Sequence, residues 1–209
     1  MGDGHCCESS GTSSRSRALA AQGNDGLAEA AHASFVMLVG EEASHDMNAD
    51  AFRHFYDYHF TENRKIWDEG IRSLSDEQFT RDVKYSRGSV RDQIVHLMSV
   101  DDTWFSALRR VEIRESPDTA AYYDRETIRT RWDKVEQGMQ AYLLTLRDDM
   151  LFEKPFADGE DKDLILWQVL LQVGTHGTDH RAQILRLLSD LGAKTESQDY
   201  IFYVYDNPL

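Results

Sequence analysis

His176 and His180 are the two residues of this chain whose type and spacing most plainly offer chemistry. They lie in the run Thr175-His176-Gly177-Thr178-Asp179-His180-Arg181-Ala182-Gln183-Ile184. Four residues on a helix turn through about 400° and rise roughly 6 Å, so both imidazoles share one face. Two neutral imidazoles so placed can grip one divalent metal ion. Gly177 occupies the position where a His-Glu-x-x-His zinc peptidase carries its general base, which excludes that class. A third ligand must come from elsewhere, and His96 is the best candidate.

The positioning elements are helical. From Asn48 onward apolar residues recur with a period near 3.6. Phe52, Phe55, His59, Asn63, Ile66, Gly70 and Leu74 mark one face of a first helix. Ser75-Asp76-Glu77-Gln78 is a capping-box pattern, and Val83 to Arg87 reads as a loop or short extended piece. Ser89 caps a second helix, from Val90 to about Val111. After a connection from Glu115 to Tyr123, Asp124 caps a third, and the fourth runs from about Leu164 to Leu191 with Gly192 as its C-terminal cap. The aromatic tail Tyr200 to Tyr205 reads as an extended segment. Four long amphipathic helices predict an all-α four-helix bundle. The loops are too long to impose simple up-down alternation, and a crossover order is open.

On a helical wheel centred on His176, the residues Ile165, Val169, Val173, Gln183 and Leu187 fall within roughly 60°. The pair therefore faces the core. The same construction groups Val100, Thr103 and Ala107 with His96, so His96 is also expected to point inward. A single inward histidine is commonly a hydrogen-bonded core residue. Two side by side are harder to explain without a metal, because protonating both in a dry site is costly. Of the rest, His59 shares the first helix's apolar face and reads as a core or supporting group, and Trp104 is the best candidate to line a pocket.

Composition bounds the alternatives. The chain has 209 residues, 41% apolar and 29% charged, with a formal net charge of −14. So acidic a surface disfavours nucleic acid and anionic membranes as partners. No run approaches the ~18 apolar residues of a membrane span. Cys6 and Cys7 are adjacent and cannot staple a fold, so a reducing cytoplasm is the expected compartment. Residues 1–46 are rich in Gly, Ser and Ala, lack Trp and Tyr, and read as a disordered extension; residues 47–209 read as the globular domain. Met47, where globular character begins, is a candidate natural start.

The run from His176 to Ile184, followed by Leu188 and Leu191-Gly192, resembles the C-terminal signature of the DinB-like family, His-x-x-x-His-Arg-Gly-Gln leading to a Leu-Gly helix end. Ser89 to Leu97, continuing through Asp101 and Trp104 to Leu108, resembles that family's first-histidine helix, and Tyr58, Asn63 and Arg64 resemble its opening Tyr-x(4)-Asn-Arg pattern. Ala182 departs where Gly is usual, and Asp179 where His or Tyr is common. The resemblance implies a four-helix bundle that holds a divalent metal (Zn, Ni, Fe, Mn or Co) through His96, His176 and His180, often as a homodimer. It further implies a transferase using a small thiol such as bacillithiol or mycothiol on a small-molecule electrophile. The globular part has no cysteine, so any thiol must come from outside. Arg181, beside a ligand, is expected to hold an anionic group of thiol or substrate, to orient a ligand through a carboxylate, or to form a structural salt bridge. A metal-dependent hydrolase and a non-enzymatic metal-binding stress-response protein are the competing readings.

Overall fold

A computed structural model describes residues 48–112 and 124–208. The expected extension over residues 1–46 and the connection Glu115 to Tyr123 lie outside the described residues. Four long helices form the framework: α1 (Ala49–Lys65), α3 (Val90–Leu108), α4 (Arg125–Leu144) and α5 (Leu166–Asp190). Two short ones accompany them, α2 (Asp76–Thr80) and α6 (Tyr200–Asp206).

Local chemistry sets the helix starts. The side chains of Asn48, Ser89 and Asp124 accept hydrogen bonds from the backbone N–H groups of Ala51, Asp92 and Thr127, satisfying donors that a helix leaves free. The Ser75–Gln78 capping box forms as read. At α5 the cap residue is Ile165, which has no acceptor, and Gln168 Oε1 takes its N–H at 3.0 Å. Gly192, at φ +79°, closes the helix end where a Cβ would be strained.

Pairs of contacts fix the helix directions. Tyr56 and Asn63 of α1 meet Leu170 and Arg181 of α5, so these helices run parallel. His96 and Gln93 of α3 meet His176 and Gln183 of α5, an antiparallel pair. Asp102 and Arg109 of α3 meet Arg131 and Gly138 of α4, again parallel. The order is therefore up, down, down, up, which settles the question the loop lengths left open. Ile94, Leu97, Met98, Phe105, Ile128, Val169, Leu170, Val173 and Ile184 lie at the centre, each at most 1% exposed. No helix among the described residues is long and apolar enough to cross a membrane.

The tail differs from expectation. Tyr200–Asp206 is a helix rather than an extended strand. Seven residues are too few to hold a helix alone, and packing supplies the stability. The Tyr203 ring sits 5.2 Å from that of His54 and 5.7 Å from that of Tyr58.

Candidate metal centre

His96, His176 and His180 come together, each offering a ligand atom, and those atoms all lie within 4.8 Å of one another. The ring centroids are 5.4 Å apart for His96–His176, 4.6 Å for His96–His180 and 4.3 Å for His176–His180. α5 supplies two of them from successive turns, and the antiparallel α3 brings the third. Among the described residues this is the sole cluster of three or more metal-ligating side chains.

His180 is buried, while His96 and His176 are partly open. The wheel reading is thus half right for α3. Its core face carries Ile94, Met98, Asp101 and Phe105, whereas the stripe of His96 runs along a flank, with Thr103 exposed. The flank position gives the cluster an open side. Burial lowers the pKa of all three histidines; for His96, burial and the charge of Arg87 bring it to about 4. All three are therefore neutral at physiological pH, the form that ligates metal.

Neighbouring groups set the tautomers. His180 Nδ1–H donates to Gln93 Oε1 at 3.1 Å, which leaves Nε2 with its lone pair. Gln93 is fully buried and is steadied by Gln183, which also bonds Ser86. Gln183, which the wheel sets on the same face as His176, sits in this supporting layer. The Nδ1 of His176 is buried without a partner, and so is Oδ1 of Asp101, whose charge raises the His176 pKa against the larger effect of burial. Asp101 is fully buried, unlike its neighbour Asp102, which pairs with Arg131 nearer the surface.

Behind Asp101 stands a chain of hydrogen bonds. Arg181, which can only donate, gives a hydrogen bond from Nη1 to His59 Nδ1 at 3.0 Å. His59 must then carry its proton on Nε2, which lies 3.2 Å from Asp101 Oδ2. Burial holds the His59 pKa down, more than Asp101 raises it. Gly177 makes room for the ring: a Cβ there would fall 2.4 Å from His59 Cε1. The position that excludes a zinc peptidase thus has a packing reason to be glycine.

Of the places the sequence suggested for Arg181, the structure rules out the anion holder and sets the guanidinium behind His59 and the Asp101 carboxylate. Arg181 is 0% exposed. Its remaining donors reach Asn63 Oδ1, Thr178 Oγ1 and Gln198 Oε1, and its guanidinium lies 5.3 Å from the Tyr58 ring centre. It ties α1, α5 and the segment before α6 together and has no face toward an incoming anion.

Two features had weak or no sequence signal. Arg87, in the loop before α3, places Nη2 3.3 Å from His96 Nε2. Loops carry no periodicity, so its position could not be read. A cleft of about 600 Å³ opens on the flank of α3 that carries His96, lined by Thr103, Trp104, Ala107 and Phe156 among others. Trp104 therefore does line a pocket, beginning roughly 10 Å along the helix from His96.

A helical bundle with three converging, neutral histidines, two of them partly open, defines a class of proteins able to hold a divalent cation between helices. Residues 47–207 match the DinB family, and the chain belongs to that family. Its fold is similar to that of a DinB-like protein from Bacillus cereus ATCC 10987 of known crystal structure. The TM-score is 0.60 at 17% identity, covering 72% of this chain and 97% of the other. At that identity the likeness is one of fold. No curated protein matches the chain.

Proposed function

We propose that this protein is a metal-dependent transferase that joins a low-molecular-weight thiol to a small electrophile. The observation that carries the reading is the three-histidine cluster, neutral, oriented from behind and open on one side. His96, His176 and His180 would hold the ion. Three neutral ligands leave a bound divalent ion its full charge and an open position, which favours the deprotonated form of a thiol at neutral pH.

The residues of the chain have separable tasks. Gln93 fixes the His180 ring and the Asp101 charge acts on His176, while the buried Arg181–His59 pair holds Asp101 in place. In the transfer, the thiol sulfur forms a bond to the electrophilic carbon, the leaving group departs with the bonding electrons, and the thiol proton passes to solvent. The cleft beside Trp104 and Phe156 offers apolar surface for the electrophile. A soluble homodimer in the cytoplasm suits this role. A purely structural metal is less favoured, because a closed site would bury all three ligands, and here two remain partly open.

The deciding experiment is metal content of the untagged full chain by plasma mass spectrometry, beside His176→Ala, followed by thiol-consumption assays. About one metal per chain, lost in the variant, with metal-dependent consumption of bacillithiol, mycothiol or glutathione in the presence of electrophiles, supports the proposal. Metal without any turnover moves the reading to a non-catalytic metal protein. No metal after incubation with Zn, Ni, Mn, Fe and Co defeats it.

A further inference from the structure

We infer that Arg87 is the specificity-determining residue of the histidine centre, and that the ligand it selects carries a carboxylate or similar anion close to its metal-binding atom. This rests on the reading of the cluster as a metal centre and adds the charge class of its ligand.

The guanidinium stands at the open side of the cluster, 3.3 Å from His96 Nε2, and its charge is felt by all three imidazoles. No described carboxylate pairs with it, although most of the described arginines are so paired, among them Arg53, Arg64, Arg91 and Arg186. The carboxylate on the neighbouring face of α5, Asp179, instead accepts from Gln183 at 2.9 Å. Asp101 is turned inward toward His59.

The loop is held in place from both ends. Gly88, at φ +95°, lets the chain turn into α3, and Ser86 bonds Gln183 across to α5. Arg87 is exposed, so it can reach a ligand without disturbing the fold.

Charge balance supplies the reason. A divalent ion on three neutral ligands, with an arginine at its edge, concentrates positive charge in one small space. The Asp101 carboxylate is already set against the buried Arg181 through His59. Asp179 offsets only part of the remainder, and an anionic ligand would complete the balance. On a protein of net charge −14, a free cation at the site's mouth is also what draws an anion in. A guanidinium so near a candidate ligand reaches groups only a few bonds from the atom that binds the ion, and its fork matches a carboxylate.

The test uses Co²⁺ as a spectroscopic probe on the full chain, with mercaptoacetate and 2-mercaptoethanol as small thiols with and without a carboxylate. Ligand-induced change in the cobalt absorption band reports each Kd without turnover. Arg87→Ala should weaken mercaptoacetate by at least about tenfold while changing 2-mercaptoethanol by less than about twofold. Arg87→Lys should recover part of the difference. Comparing the ratio of the two constants between wild type and variant cancels any intrinsic difference between the thiols. An unchanged ratio, with the cobalt band intact and abolished by His176→Ala, overturns the role of Arg87 alone. Absence of a cobalt band in the wild type overturns the metal centre and this inference together.

Discussion

Asp101→Asn preserves volume and removes one buried charge, and its consequence for metal affinity follows from fixed hydrogen-bond directions. His59 cannot change tautomer, because Arg181 donates to its Nδ1. The asparagine must therefore turn its carbonyl oxygen to His59 Nε2–H, in place of Asp101 Oδ2 at 3.2 Å. Its amide nitrogen is left on the other side, where Asp101 Oδ1 is buried and unpartnered and where the carboxylate's charge reaches His176. A donor there favours a His176 that accepts at Nδ1 and is protonated at Nε2, with no lone pair for an ion. Loss of an outer group that acts on a ligand costs roughly 10–100-fold in metal affinity. That is about 1.4–2.7 kcal/mol, and the tautomer shift pushes toward the upper end. Competition for Zn²⁺ against a chromophoric chelator measures it, with Asp101→Ala and His176→Ala alongside and circular dichroism to confirm folding. Asparagine should bind zinc no better than alanine, although it fills more of the space. Packing alone predicts the reverse order. Wild-type affinity in Asp101→Asn, or alanine clearly worse than asparagine, refutes the role assigned to Asp101.

Three further outcomes follow from the same geometry. Arg181→Met strips His59, Asn63, Thr178 and Gln198 of a shared buried donor and should cost about 3–5 kcal/mol, lowering the melting temperature by on the order of 10 °C; a melt within about 2 °C of wild type contradicts this. Metal at about 100 times its Kd should stabilise the chain by about 2.7 kcal/mol, so transfer from excess zinc to chelator should lower the melt by roughly 5–11 °C; identical melts would mean that no ion binds the folded state. Without metal, stability should fall with acid. His59, His96, His176 and His180 all have pKa values lowered chiefly by burial, while in the unfolded chain they titrate near about 6.5. Below that pH the unfolded chain takes up protons that the folded one refuses, so stability complete above about 6.5 drains away toward about 4, where His96 protonates. A urea midpoint at pH 5 equal to or above that at pH 7 would contradict the sign.

Helical periodicity carries far in this chain because its information is rotational. It places His176 and His180 on one face of α5 and brings His96 to the right helix. It cannot say which flank of a helix meets a neighbour. That is why the stripe of His96, Thr103 and Ala107 reads as core when Thr103 is in fact exposed and the core face of α3 is the one through Met98 and Asp101. Arg181 shows the same limit from the other side. Adjacency to His180 suggests a shared site, yet one residue on a helix is a turn of about 100°. That rotation carries Arg181 away from the cluster and into the α1 interface, where Tyr58 and Asn63 receive it. The consecutive His180-Arg181 pair thus joins two tasks at right angles. The histidine faces the metal centre, and the arginine secures the His59–Asp101 support for the other histidine of the same helix. The signature is compact in sequence because one helix turn serves both the ligands and the scaffold that orients them.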